Sequence, residues 1–199
     1  MRRRVVAVAL GLSVAATAGC GQGRPPLPRP LLFGEGALYR PAPYGPRVAS
    51  ARTIGRLRCE AAAPPARFLA HVEVIVDGRV AIVPAGIGVA PPQVRRGAYV
   101  VRGRCEYPIR THEPTGLLEV ASSRRITLGE LFAVWQQPLT RQRLLEFAPR
   151  RGSMVRAYVG RARWPGDPRE IVLRRHRAVT LELGRFVPPR PRYAFPRGI

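Results

Sequence analysis

The sequence predicts an α+β protein in which one main helix covers a mostly antiparallel or mixed β-sheet. Three observations predict this fold class. Two β-branched runs flank Asp77-Gly78, a capped apolar helix follows Thr127, and several short strand-like runs follow the helix. Because the strands precede and follow a single helix, we expect that helix to lie on one face of the sheet. A β-grasp-like arrangement is the specific expectation.

The N-terminus has the pattern of a bacterial export signal. Arginines at positions 2–4 precede an uncharged, mostly apolar stretch at 5–18. As a helix that stretch spans about 21 Å, short of the ~30 Å hydrocarbon core of a bilayer. It therefore predicts a signal peptide over residues 1–19 rather than a membrane span.

The end of this stretch, Thr17-Ala18-Gly19-Cys20, resembles the lipobox of bacterial lipoproteins. The resemblance implies cleavage before Cys20 and attachment of a diacylglyceryl group to its thiol. We therefore expect a chain held by a lipid anchor on the extracytoplasmic face of the cell membrane. The alternative is an ordinary secretory peptide that leaves Cys20 unmodified.

Proline and glycine set the boundaries of the folded part. Residues 21–50 contain seven prolines and five glycines and have no periodic apolar pattern. Such a segment buries too little surface to offset its ordering entropy, so residues 20–51 are predicted to be a tether. A globular domain is expected over residues 52–185. The Pro/Arg-rich tail 186–199 carries Phe186, Tyr193 and Phe195 for packing.

The first strands are predicted at 71–76 and 79–84, around the turn Asp77-Gly78. Asp-Gly between β-branched runs favours a type I′ turn, which needs positive φ at both central residues. Alternation puts Val72, Val74 and Val76 on one face of the strand and His71, Glu73 and Ile75 on the other. Further strands are predicted at 117–121, 154–159, 161–164, 171–173 and 178–183.

The helix is predicted from its cap. Thr127 and Glu130 have the spacing of a capping box. An apolar stripe at helical spacing follows, and Pro138 is expected to end the helix. The stripe consists of Leu128, Leu131, Phe132 and Trp135.

Two cysteines remain besides Cys20. In an exported protein, Cys59 and Cys105 most simply form a disulfide. The alternative is a free Cys105 thiol that acts as a metal ligand near His112.

Charge and motifs restrict the function. The chain has 34 Lys+Arg against 12 Asp+Glu, a formal charge of +22, and every basic residue is arginine. With 46% hydrophobic residues it is neither an acidic disordered tail nor a multi-span membrane protein. The arginines are dispersed, which indicates nonspecific attraction to anionic lipid or polyanions rather than specific nucleic-acid binding. Nucleophile-elbow and phosphate-loop motifs are absent from the sequence, so a non-enzymatic binding or envelope-associated module is expected.

Several stretches of residues 57–199 resemble an uncharacterised family of secreted or lipid-anchored bacterial proteins. They include AHVEVIVDG (70–78), THEPTGLLEVAS (111–122), RRITLGELFAVWQQPL (124–139) and YAFPRGI (193–199). The resemblance implies a histidine-rich hallmark, H-x-H-x-H at the first strand and H-x-H after the second cysteine. Such clusters are typical of metal sites.

This chain keeps only part of that hallmark. His71 and His112 remain, whereas Arg67 and Arg110 stand at two of the histidine positions and Glu119 at a later one. The second functional hypothesis is therefore a zinc or copper site. Its ligands would be His71 and His112 with Glu73 or Glu119, since imidazole and carboxylate suit these transition metals.

Overall fold

The computed structural model describes residues 53–150, 152–188 and 193–196. The predicted signal peptide, Cys20 and the tether lie outside the described residues. In chain order the elements are β1 (Thr53–Ile54), β2 (Leu57–Arg58), β3 (Phe68–Val76), β4 (Arg79–Ala81), β5 (Val94–Arg96), β6 (Tyr99–Arg102), β7 (Ile109–Arg110), β8 (Leu117–Val120), α1 (Leu128–Trp135), β9 (Leu139–Thr140), β10 (Arg143–Leu144), β11 (Arg156–Val159), β12 (Ala162–Trp164), a 3-10 turn (Pro168–Glu170) and β13 (Ala178–Leu183).

The main sheet has seven strands and is mixed. Its order is β12-β11-β13-β3-β8-β7, and β4 pairs with β3 beside β8. Only β13 and β3 run parallel, while the other pairs of this sheet are antiparallel. Strands β3 and β13 thus lie side by side at the centre of the sheet. The β7–β8 hairpin lies on one side of them and the β11–β12 hairpin on the other, and α1 comes between these two hairpins in sequence. The predicted α+β class is confirmed, and this strand order is β-grasp-like.

The first hairpin has the predicted turn. Asp77 and Gly78 have φ values of +49° and +81°, as a type I′ turn requires. The second strand, however, ends at Ala81 rather than at residue 84. Pro84 has no N–H to donate to a ladder, and the chain leaves the sheet as a buried loop over residues 82–90.

Helix α1 begins and ends near the predicted points. The Thr127 hydroxyl accepts the Glu130 N–H at 3.3 Å, and a Glu130 carboxylate oxygen accepts the Thr127 N–H at 2.8 Å. At the other end Gln136 adopts a left-handed conformation, two residues before Pro138. The predicted apolar stripe is buried, together with Val134.

The strand predicted at 171–173 is wrong. A 3-10 turn capped by Asp167 precedes these residues, and only Val172 forms an isolated bridge, opposite Thr127. The Ile171 carbonyl accepts from the N–H of residue 128, the first residue of α1, and the Leu173 N–H donates to the carbonyl of residue 126. This pairing is too short to continue as a strand, but it fixes the start of the helix.

The main sheet has one apolar and one polar face. Val72, Val74, Leu181 and their neighbours belong to the same buried cluster as the apolar side chains of α1. The opposite face, called the polar face below, carries His71, Glu73, Glu119, Thr180 and Glu182. Among the described residues, no helix has the length and apolarity needed to cross a bilayer.

Candidate functional site

His71 lies on the polar face, where its ring makes a hydrogen bond and an aromatic stacking contact. Its Nε2 atom is 3.0 Å from the carbonyl oxygen of Thr115, which makes Nε2 the protonated, donating nitrogen. Its ring stacks on Tyr193, with 3.8 Å between centroids and 15° between planes. Gly116, with φ +79°, lets the Thr115 turn approach this closely, since a Cβ there would come within 2.1 Å of the Val72 carbonyl oxygen. His71 is thus held as a buried structural side chain.

His112 lies at the other end of the predicted ligand set. Its Nδ1 atom is 2.5 Å from the carbonyl oxygen of Val100, and its Nε2 atom is 3.6 Å from Glu119. The Val100 N–H in turn donates to the His112 carbonyl at 2.9 Å. These bonds fasten strand β6 to the segment that follows β7.

Arg110 occupies the space between two carboxylates. Its Nε atom is 3.1 Å from Glu106 and 3.2 Å from Glu119, and its Nη2 atom donates to the Pro64 carbonyl at 3.1 Å. The side chain is almost entirely buried, so this is a desolvated ion-pair network in which the guanidinium supplies the positive charge.

The four predicted metal ligands do not form one group. The Glu119 carboxylate contacts the side chains of Arg110 and His112. In the β3–β8 register His71 lies opposite Leu117, two residues before Glu119. Within the described ranges, no three His, Cys, Asp or Glu side chains are placed to hold a metal ion. The guanidinium of Arg110 already pairs with both Glu106 and Glu119, and its positive charge would repel a second cation beside it. The metal-site hypothesis therefore stays a prediction, without a ligand cluster among the described residues.

The described parts of the C-terminal tail pack through their aromatic rings. Phe195 stacks on His176 at 4.7 Å and meets the Tyr193 ring edge-on at 4.9 Å. Phe186 lies 6.5 Å from the Tyr158 ring. Burial raises the pKa of Tyr193, although a hydrogen bond with the Thr115 side chain opposes this shift. The tail thus covers part of the polar face.

Glu182 is the most deeply buried acid of the polar face. Its side chain is fully buried, and its Oε2 atom is 3.4 Å from Arg156 Nε. Its Oε1 atom has no hydrogen-bond partner in the described part of the chain. Burial raises the pKa of Glu182; Arg156 opposes that shift and Glu73 adds to it.

The structure adds a surface that the sequence analysis missed. Strands β5 and β6 form a separate two-stranded hairpin, called the arginine hairpin below and comprising residues 94–102. Val94, Tyr99 and Val101 are exposed large apolar residues, and arginines lie beside them. The available signal was a run of β-branched and aromatic residues around Gly97-Ala98, with arginine on both sides.

The predicted disulfide is present. Cys59 and Cys105 are bonded, with 5.4 Å between their Cα atoms, and the bond joins the end of β2 to the segment before β7. Cys105 is therefore not a free thiol ligand. The predicted lipidation site Cys20 lies outside the described residues.

Comparison with known proteins gives no family or function for this chain. No protein-family model, curated protein or solved structure shows significant similarity to this sequence. The resemblance to a histidine-rich family therefore stays a prediction.

Proposed function

We propose that this chain is a lipid-anchored extracytoplasmic protein and that its folded domain is a non-enzymatic binding module at the membrane surface. The observation that carries the proposal is the Cys59–Cys105 disulfide. Disulfides persist in oxidising compartments and are rare where glutathione and thioredoxin keep thiols reduced. The bond therefore supports export, which is also what residues 1–19 predict.

Cys20 is the proposed anchor. A single acyl chain gives only marginal membrane binding, whereas two chains give a stable anchor. A diacylglyceryl group on Cys20 would supply two chains on one residue. Residues 21–51 would then separate the anchor from the folded domain.

The charge of the mature chain favours an anionic partner surface. Removal of residues 1–19 takes away three arginines and no acid, so the formal charge falls only from +22 to +19. Arginines near an anionic membrane each contribute about 1 kcal/mol of attraction. The proposed partner is therefore the membrane that holds the anchor, through its anionic lipids.

Lipid labelling in a bacterial host tests the anchor. The full chain is expected to incorporate labelled palmitate and to stay with membranes after a high-salt wash. The Cys20→Ser chain should lose the label, while the Cys59→Ser chain should keep it because it retains Cys20. A native chain that is exported without label would contradict the anchor.

Thiol trapping in intact cells tests the compartment. Acid quenching followed by alkylation should find Cys59 and Cys105 oxidised in the native chain. With residues 2–18 deleted, the chain should remain inside the cell with both thiols reduced. Equal alkylation of the two chains would contradict export.

A further inference from the structure

The geometry points to the arginine hairpin as the surface by which the folded domain lies on an anionic lipid bilayer. This inference rests on the proposed function, because it names the part of the domain that meets the membrane. It adds what the net charge alone does not supply, a defined surface and an orientation.

Exposed apolar residues are concentrated on this hairpin. Val94, Tyr99 and Val101 are 44%, 54% and 45% exposed, and they are three of the five large apolar side chains that stand out as exposed among the described residues. Exposed apolar side chains next to one another indicate an interaction surface. A bilayer interface would remove them from water.

The charge beside these residues is uniformly positive. Residues 94–104 contain four arginines (95, 96, 102 and 104) and no acid. Arg96 lies directly opposite Tyr99 in the hairpin register. Neither Arg96 nor Arg102 forms an ion pair with any described residue. Their guanidinium groups are therefore available to lipid phosphates, while their methylene stems can lie along the apolar side chains.

The pattern fits lipid better than a soluble polyanion. Tyrosine is enriched at membrane interfaces, where its ring meets apolar chains and its hydroxyl meets water. A polyanion would neutralise the arginines but leave Tyr99 and Val101 exposed. A lipid surface with anionic headgroups satisfies the charged and the apolar groups together.

The hairpin is held firmly enough to present this surface. Val100 points away from Tyr99 and Val101 and is fully buried with Ala85 and Val89. Its backbone bonds to His112 in both directions, at 2.9 and 2.5 Å. The outward side chains therefore keep one orientation relative to the sheet.

A second hairpin provides a matched control. The β11–β12 hairpin carries exposed Arg161 in its turn and exposed Arg163 in β12, but the exposed residue between them, Ala162, is small. Two arginines can therefore be removed from either hairpin with the same change in net charge. Phe186, which is 57% exposed, matches Tyr99 as an exposed aromatic residue elsewhere on the domain.

Fluorescence quenching by brominated lipid tests the inference. The full chain, purified from membranes with its anchor, is reconstituted as Tyr99→Trp or as Phe186→Trp in vesicles of phosphatidylcholine with or without phosphatidylglycerol. The emission of Trp135 and Trp164, measured in the native chain, is subtracted from that of each variant. We expect the added indole at position 99 to be quenched at least about twofold more than the one added at position 186, and only in the anionic vesicles. Equal quenching at both positions would overturn the inference.

Charge removal then tests the hairpin itself. In the Tyr99→Trp chain, Arg96→Ser with Arg102→Ser should weaken docking about thirtyfold, since each arginine near the surface contributes about fivefold. Arg161→Ser with Arg163→Ser should leave the quenching at position 99 nearly unchanged. An equal loss in both would mean adsorption by net charge and would overturn the assigned surface. Protection of position 99 from a soluble quencher by heparin, without quenching by lipid, would identify a polyanion surface instead.

Failure of the lipid anchor and failure of the hairpin assignment give different results. A chain that leaves the vesicles in high salt contradicts lipid anchoring, whatever its quenching at low salt. A chain that stays bound but shows no quenching at position 99 contradicts the hairpin alone.

Discussion

The rings of His71 and Tyr193 lie parallel, with 3.8 Å between their centroids, and this stack fixes the C-terminal tail to the polar face. The contact joins the first long strand to residues near the end of the chain. The same tail segment continues to Phe195, which stacks on His176. The described parts of the tail, residues 186–188 and 193–196, therefore pack as part of the fold.

Tyr193→Ala is expected to loosen this segment. Loss of the stack and of the buried ring should lower the free energy of unfolding by about 1–2 kcal/mol. Trypsin should then cleave faster after the exposed Arg185. Denaturant unfolding and limited proteolysis measure the two effects.

Tyr193→Phe is the matched control for the ring. It keeps the stack and loses only the hydroxyl that bonds the Thr115 side chain. It should therefore unfold close to the native chain. If the alanine and phenylalanine variants unfold at the same denaturant concentration, the ring stack does not hold the tail.

His112→Ala is expected to free the arginine hairpin. The buried Val100 carbonyl would lose the His112 Nδ1 donor, and an unsatisfied buried acceptor costs about 1–3 kcal/mol. Hydrogen exchange over residues 94–102 should accelerate, while exchange in β3 and β13 stays slow.

Two control variants test this prediction further. His112→Asn keeps a donor near the Nδ1 position and should recover part of the protection. His176→Ala removes a histidine that lies away from the hairpin and should leave its exchange rate unchanged. Rapid exchange of residues 94–102 in the native chain would show that His112 does not restrain them.

Local signals allowed much of the fold to be predicted, since the turn, the cap and the disulfide each depend on residues close in sequence or on simple pairing. Asp77-Gly78 and Thr127 with Glu130 form the expected structures. The partner of Glu119 was not predictable in this way. The pairing of Glu119 with Arg110 follows from the β7–β8 register, which sets these two residues opposite each other. The β3–β8 register sets His71 opposite Leu117 instead.

The arginine hairpin escaped prediction for a different reason. Sequence patterns identify strands by apolar residues that face a core, and here Tyr99 and Val101 face outward while Val100 faces inward. A register shift between Val94 and Arg95 further breaks the alternation. The pattern therefore departs from the rule by which strands are recognised in a sequence.

Glu182→Gln is expected to change the pH dependence of stability. Burial raises the pKa of Glu182, so the folded state keeps its proton to higher pH than the unfolded state does. The native chain should therefore lose stability as pH rises above the ordinary glutamate pKa of about 4.3. The stability of the Gln variant relative to the native chain should rise over the same range, as denaturant unfolding at pH 4 to 8 would measure.

Glu130→Gln supplies the opposite case. Burial acts to raise the pKa of Glu130, but hydrogen bonds from Arg56 and Thr127 outweigh it, and the pKa is lowered. Its contribution to stability should be present at neutral pH and disappear as pH falls below about 4.3. The two variants should thus differ from the native chain at opposite ends of the pH range, and parallel profiles would contradict both assignments.

Removal of the disulfide should cost more than any of these changes. Cys59 and Cys105 are 46 residues apart, and closing a loop of that length stabilises a fold by about 4 kcal/mol in the chain-entropy account. The double variant Cys59→Ser/Cys105→Ser and the reduced native chain should therefore unfold together, well below the oxidised chain in denaturant. Cys20 is left intact in all three chains, so the proposed lipidation site is the same in each. If the reduced chain unfolds with the oxidised one, the bond contributes little to stability, and its value to the protein would have to lie in fixing the position of β2 against the segment before β7.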